Sequence, residues 1–363
     1  MRTLFFVALL QSLLCFHSLV AQEFDFYTKD YQDSWAPLFP KAFFISTNGV
    51  KSSFPDLLFS KKDEAWRGSF PKTYLQSLRQ DDESPIYWVS SYEESIDEEN
   101  KAKMGLQSPL LNNDIFALYG RPDSYVMGIL GQYKMEDLDA VMQKFVDMYD
   151  AVNGDKKIIP ALYIIYGTCW PKGEIGILDT AIAKKYIEYA AKKGWYVFLD
   201  DQIGKYTIQE SMNRILPFLK YDNVHLAIDP EWKTLTPMET IGSVTAEEVN
   251  LAQQMMNDYI IQHKIKGRRL LVIHQFNDIM IRNRSRVRSN FERVQLVHCS
   301  DGFGPPRVKK GTYQFNAIAK NMPIKSFKLF LPPKVQGAGW DNPLMSPKDV
   351  MNLKPRPYFI MYQ

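Results

Sequence analysis

Long apolar runs are missing from this 363-residue sequence once its first residues are passed, so nothing later in the chain reads as a membrane span. Cysteine is almost absent: Cys15, Cys169 and Cys299 are all there are. Without the N-terminal segment two remain, enough for one bridge at most, and a chain of this length needs no disulfide framework. Both read as small apolar residues at strand ends, with no local motif that makes either a nucleophile. A dominant charge is also missing. The formal net charge of +3 is small for the size and argues against a nucleic-acid partner. No glycine-rich phosphate turn follows an early strand, since YGRP at 119–122 is not one, and no internal repeat is visible. What is present is ordinary globular composition, 45% hydrophobic and 23% charged, in a chain long enough for one large domain or two smaller ones.

The N-terminus reads MRTLFFVALLQSLLCFHSLVAQ. Arg2 supplies a positive start, Leu4 to Leu14 an apolar stretch, and Leu19-Val20-Ala21 a cleavage site before Gln22. Residues 1–21 are therefore expected to be a secretory signal. Leu14 is too large for the small residue that precedes a lipid-carrying cysteine, so simple export is expected rather than a lipid anchor at Cys15.

From about residue 114 the sequence alternates. Continuous apolar, β-rich runs occupy 114–119, 157–166, 194–200, 224–229, 269–275, 294–299, 327–331 and 358–362, as parallel strands covered on both faces require. Helical periodicity fills most gaps: 136–152 (Leu138, Val141, Met142, Phe145 and Met148 on one face), 179–193 (Ile182, Tyr186 and Ala190, stopped by Gly194), 245–266 (opened by the Thr245–Glu248 capping pattern) and 346–351. Eight strands with intervening helices over 114–363 predict an α/β fold, a (β/α)8 TIM-barrel-like domain. Residues 22–113, rich in aromatics (SWAPLFPKAFF at 34–44), are expected to form an N-terminal extension packed on it, standing in for the missing last helix. Within them PIYWVSS at 85–91 could be a ninth strand, and YEESIDEEN at 92–100 an exposed helix or loop.

In such a barrel the chemistry sits at the C-terminal strand ends. Here these ends carry Tyr119 and Arg121; Tyr166 and Trp170; Asp200, Asp201 and Gln202; Asp229, Glu231 and Trp232; His274 and Gln275; His298 and Asp301; Lys328; Tyr362 and Gln363. Pro230 cannot donate a ladder hydrogen bond, so the fourth strand should stop there with Asp229 and Glu231 at the mouth. In an extended backbone the two point the same way, about 7 Å apart at Cα. Paired carboxylates repel, which raises one pKa and creates a general acid at neutral pH. Trp232, Trp170 and Tyr166 offer flat faces suited to sugar rings. The bland alternative is that the two carboxylates cap the next loop and pair with Lys233 or Arg121.

Asp229-x-Glu231 closing the fourth strand resembles the chitinase-type and lysozyme-type glycosidases. The further upstream aspartates of chitinase-type enzymes are replaced by Val224 and Ala227, which speaks against an N-acetyl-assisted mechanism. The seventh strand carries no glutamate nucleophile, unlike the large clan of retaining β-glycosidases. His274 and His298, on neighbouring strands, support a rival: a metal held by the two histidines with Asp301 or Asp229. Metal-dependent amidohydrolase barrels also use these strands, but they need a His-x-His on the first strand, where this sequence has Phe-Ala-Leu-Tyr. The run IRNRSRVR at 281–288 reads as a solvated helix face, and Asn283-Arg284-Ser285 is formally a glycosylation sequon.

YGRP with MGILGQY (119–133), FLDDQIG (198–204), AIDPEW (227–232), IGSVTAEEVN (241–250), VIHQFNDIMIRNR (272–284), DGFG (301–304), KLFL (328–331) and the closing MYQ together resemble a family of exported, often lipid-anchored bacterial proteins of unassigned function. The resemblance implies export and a glycosidase-like barrel over 114–363, without a reaction. KLFLPPKVQGAGWDNPLMSP is longer than the family's usual loop, so a remodelled mouth is expected there.

The leading expectation is an exported carbohydrate-active hydrolase. Glu231 is its general acid, Asp229 tunes it or stabilises the developing positive charge, and Asp200 activates water. Trp232, Tyr166, His274, Gln275 and Asp301 hold sugar, with Tyr119, Arg121, Trp170, Gln202, His298 and Lys328 as further contacts. It needs no cofactor or metal; its partner is a carbohydrate or another small polar ligand. The alternatives are a metal-dependent hydrolase centred on His274 and His298, and a non-catalytic glycan- or ligand-binding surface protein.

Overall fold

The computed structural model describes residues 109–110, 113–154 and 156–363, together with the backbone of Phe44–Ile45 and Lys51–Ser52. Contacts divide the chain into two units, Met1–Met104 and Gly105–Gln363. In the first, Phe44–Ile45 pairs antiparallel with Lys51–Ser52. The signal segment, Cys15, PIYWVSS, YEESIDEEN and the expected packing of 22–113 lie outside the described residues.

In the second unit the apolar runs become eight strands: β1 Asn113–Gly120, β2 Lys157–Cys169, β3 Tyr196–Asp201, β4 Val224–Ile228, β5 Arg269–Gln275, β6 Val294–Ser300, β7 Ile324–Leu329 and β8 Phe359–Tyr362. Each pairs in parallel with the next, and β8 returns to β1, closing a (β/α)8 barrel. Six α-helices are described: α1 Leu138–Asp150, α2 Thr180–Lys192, α3 Ile208–Ile215, α4 Ala246–Gln262, α5 Pro306–Ala317 and α6 Pro347–Met351. None is long and apolar enough to cross a membrane. The capping box expected at Thr245 and Glu248 is formed in both directions.

Every strand is buried on both faces, so its alternate residues enter two different cores. Leu118, Ile164, Leu199, Ile228, Ile273 and Phe327 face the helices. Tyr163, Phe198, His225 and Phe359 fill the barrel interior: Phe198 lies 5.4 Å from Tyr163, 5.0 Å from His225 and 4.7 Å from Phe359, ring centre to ring centre. The interior is packed rather than hollow, which leaves the open end for chemistry.

The departures from expectation have local causes. Helices α3 and α5 lie where none was expected. α3 is short, and its Thr207–Glu210 capping box was the one sign of it; α5 contains Gly311, a poor helix former. In α1, Tyr149 is buried and Met148 is exposed, because the Tyr149 hydroxyl finds that of Tyr362 at 2.9 Å. The run 281–288 is not a helix face. Ile281–Arg282 is a short strand and Arg284–Arg286 a single 3-10 turn, with Asn283 between them at a left-handed φ of 56°. Arg282, Arg286 and Arg288 are exposed, and Arg284 turns inward onto Gln275 Oε1 and the Phe315 carbonyl. β7 begins three residues before the expected 327 because Lys325, though charged, has partners that let it lie buried in the strand.

Candidate functional site

Strand alternation and register decide which polar strand ends enter the mouth. Tyr119, Asp200, Asp229, His274, Asp301 and Lys328 do so, and Tyr163 below them completes a closed circuit. The Tyr119 hydroxyl donates to Asp200 Oδ2 at 3.0 Å. Lys328 Nζ stands 4.0 Å from the centre of the Tyr119 ring and donates to Asp301 Oδ2 at 3.1 Å. The same oxygen is 2.7 Å from His274 Nδ1, and His274 Nε2 is 2.6 Å from the Tyr163 hydroxyl. Tyr163 packs 5.1 Å from Tyr119, ring to ring.

Asp229 and Glu231 stand beside this circuit, but not on an extended backbone. β4 stops at Ile228, and Pro230–Trp232 form a single 3-10 turn. Asp229 caps that turn by accepting from the Glu231 amide at 3.3 Å, so the expected alternation is replaced by a bend. The capping half of the bland reading therefore holds, and the pairing half does not. Lys233 pairs with Glu248, and Arg121 with Asp123. Glu231 is half-buried and has no salt bridge of its own among the described residues.

Four carboxylates face two cations here. Burial, then the charges of Asp229 and Asp301, push the Glu231 carboxyl up to about 8. Burial also raises Asp200, to about 7, against the pull of His274. Burial and the charge of Asp301 raise Asp229 against the opposing pull of His274. Asp301 goes the other way: burial works against its charge, but Lys328 and the His274 hydrogen bond hold it well below the usual carboxylate range. Burial likewise opposes the charge on His274, and Asp229 and Asp301 overcome it, keeping the imidazole well above its ordinary value. With both ring nitrogens donating, the imidazolium matches its two oxygen partners. Near neutral pH two cations face ionised Asp301, with Asp200 and Glu231 holding protons for part of the time. One oxygen of Asp200, Oδ1, is buried and takes no hydrogen bond.

Several expected contacts are not in the mouth. His298 pairs in register with Ile273, whereas His274 pairs with Cys299, so the two histidines point to opposite faces of the sheet. Outside the barrel, His298 binds Gln275 Oε1 at 2.9 Å and Lys325 Nζ at 3.1 Å. The expected metal centre on His274 and His298 is thereby overturned, and Gln275 leaves the mouth with His298. Tyr166 also faces outward, as alternation from inward Tyr163 requires, and packs 5.0 Å from the Phe218 ring. Arg121 ties down a loop through Thr168 Oγ1 at 2.7 Å and the Gly176 carbonyl. Gln202 is engaged by the Cys169 amide at 2.8 Å. Trp232 is half-buried on the 3-10 turn, and Trp170 stands at the rim, half exposed. A different trio could hold a metal: Asp200, Asp229 and His274 bring one ligand atom each within 4.8 Å of one another.

Tyr163 is the inner residue that sequence reasoning missed. It lies six residues before the end of β2, and only the neighbouring strand registers show that it, rather than Tyr166, turns inward.

No protein-family profile and no curated protein matches the sequence. Among solved structures the chain is similar to the Ostrinia furnacalis Group IV chitinase, at 11% identity and a TM-score of 0.38 over 60% of this chain and 66% of that one. It is similar to the Bacillus cereus spore cortex-lytic enzyme SleL, at 12% identity and 0.35 over 63% and 54%. It is also similar to the GH18 chitinase ChiB of Flavobacterium johnsoniae, at 9% and 0.37 over 69% and 87%. The chain thus spans just under two thirds of the first of these and about half of the second. The barrel rests on its own strand pairing.

Proposed function

We propose that the chain is an exported glycoside hydrolase with Glu231 as its general acid. The observation that carries this reading is the Asp229–Glu231 turn: a buried carboxylate beside a half-buried carboxyl that has no salt bridge, at the open end of a filled barrel. Its raised pKa, to about 8, supports it, because a carboxylic acid that keeps its proton near neutral pH can give it away. The Glu231 proton passes to the glycosidic oxygen as the bond from that oxygen to the sugar carbon breaks. The Asp229 carboxyl group, beside the Glu231 turn, stabilises the positive charge that develops on the sugar. Water adds to the carbon, and its proton passes to Asp200, whose Oδ1 is free to accept it. Lys328, Asp301 and His274 fix the local charge, and Trp232 and Trp170 offer ring faces to sugar.

Glu231→Gln tests the reading. It keeps the shape and removes the proton, so turnover of a panel of cell-wall and exopolysaccharide substrates should fall about 10²- to 10⁴-fold with the fold intact. Normal turnover by the variant would sink it. A second reading, a metal-dependent hydrolase, is favoured by the Asp200–Asp229–His274 trio alone. Stoichiometric metal in protein purified without chelator, lost in Asp200→Asn, would put that reading first. Saturable sugar binding with no product would instead make the chain a binding protein.

A further inference from the structure

Two aromatic rings at the rim share an unusual support. Trp170 is 50% exposed and Phe303 is 55% exposed, yet neither ring is loose. The indole of Trp170 lies against Gly176, where any Cβ would overlap the ring, and the ring of Phe303 lies against Gly339 in the same way. The Gly339 backbone lies over one face of the Phe303 ring, and the Gly176 backbone meets the Nε1 edge of the Trp170 indole, so each ring is held by backbone that a side chain would displace.

The Phe303 side is built with care. The Gly302 amide donates to Asp301 Oδ1 at 2.7 Å and the Gly304 amide to Asp341 Oδ1 at 2.9 Å, so both flanks of Phe303 are held. Asp341 also takes the Phe330 amide at 2.9 Å and lies 3.7 Å from Lys309, whose ammonium donates to the Lys328 carbonyl at 2.6 Å. Gly339, Trp340 and Asp341 belong to the long loop after β7. That loop is pinned to the strand end and supplies the floor beneath Phe303, with Trp340 next to it 37% exposed. Ring contacts lead from the rim to the site: Phe303 is 6.0 Å from Phe330, and Lys328 Nζ is 4.9 Å from the Phe330 ring.

Trp170 follows β2 and Phe303 follows β6, which are four strands apart in a ring of eight. The two rings therefore stand on opposite sides of the mouth, with the Asp229–Glu231 turn between their arcs. From this we infer that the mouth binds a neutral linear polysaccharide laid across it from Trp170 to Phe303 and Trp340, with internal rather than terminal units over Glu231. The inference rests on the hydrolase reading for the cleavage and stands alone for the binding. Uncharged, separated ring faces suit the apolar faces of sugar units taken one at a time, whereas a protein partner would want one contiguous apolar patch.

Native affinity electrophoresis of the full chain carrying Glu231→Gln tests the inference, in gels containing hydroxyethylcellulose, galactomannan, arabinoxylan or glycol chitin. At least one polymer should retard it, and adding Phe303→Ala or Trp170→Ala should weaken that retardation about three- to tenfold each. Gly339→Ala, which keeps Phe303 but displaces its ring, should weaken it too, with circular dichroism reporting an unchanged fold. Lack of retardation by every polymer, or equal retardation of the Phe303→Ala/Trp170→Ala double variant, overturns the inference. The two readings fail separately. Retardation that depends on the rings, with no cleavage by the parent chain, upholds the platform and removes the hydrolase. Cleavage of small aryl glycosides without retardation removes the platform alone.

Discussion

The inner and outer faces of the same strand ends carry similar residues, one position apart, in opposite conditions. Asp200 points inward and keeps an oxygen without a partner. Asp201 points outward and is saturated: Arg214 Nε donates to Oδ1 at 3.0 Å, Arg214 Nη2 to Oδ2 at 2.7 Å, and the Ser211 hydroxyl also binds Oδ2. His274 inside is held as a cation between Asp301 and Tyr163. His298 outside is pushed well below its ordinary pKa, by burial first and then by Lys325 and Arg284, and is locked between neighbours that tie β5, β6, β7 and α5 together. Asp201 and His298 on the outer face are used in fixing strands to helices. Inside, Asp200 keeps a buried oxygen without a partner and Glu231 has no salt bridge among the described residues, a condition that costs stability and leaves chemistry to be done.

The sharpest way to break this contrast is to remove one carboxylate from each face. Asp201→Asn takes the carboxylate partner from half-buried Arg214 and should cost about 1–3 kcal/mol in denaturant unfolding, with the folded fraction still active. Asp200→Asn should cost much less and reduce turnover instead. Equal losses of stability would erase the distinction. A comparable effect separates the two tyrosines of β2. Tyr163→Phe leaves buried His274 Nε2 without its partner and should cost about 1–3 kcal/mol. Tyr166→Phe gives up only a 3.4 Å contact to Thr180 and should stay within about 0.5 kcal/mol.

The smallest effect is on pH dependence, because the two faces partly cancel. Asp200 and Glu231 are raised from 3.8 and 4.5 to about 7 and about 8, so their share of stability is full below the lower values and lost as pH rises through the higher ones. His298 is depressed, so its share is present above 6.5 and lost as pH falls. In Tm measured across pH, Asp200→Asn/Glu231→Gln should flatten the decline towards pH 8, and His298→Gln should flatten the decline on the acid side. An unchanged profile in either variant would show that its face does not titrate as described.

The sequence made the barrel legible because continuous apolar runs of strand length, spaced by helical periods, permit few other closed arrangements. It also placed Asp200, Asp229, Glu231, His274, Asp301 and Lys328 at strand ends, where all six stand. It could not say which way each end residue points. Tyr166, Gln275 and His298 were equally good candidates by position, and each faces the helices. Strand ends in this barrel are buried on both sides, so polarity alone does not label a face.

By itself, then, the sequence determined the architecture and the address of the site, because hydrophobic period and strand-breaking residues such as Pro230 act locally. Only the tertiary structure decided membership. The pairing of His274 with Cys299 rather than His298, the Lys328–Asp301–His274–Tyr163 circuit, and the Gly339 floor under Phe303 all depend on strands and loops far apart in the chain. Which two residues face each other is settled by the closure of the whole sheet, not by either residue's neighbours.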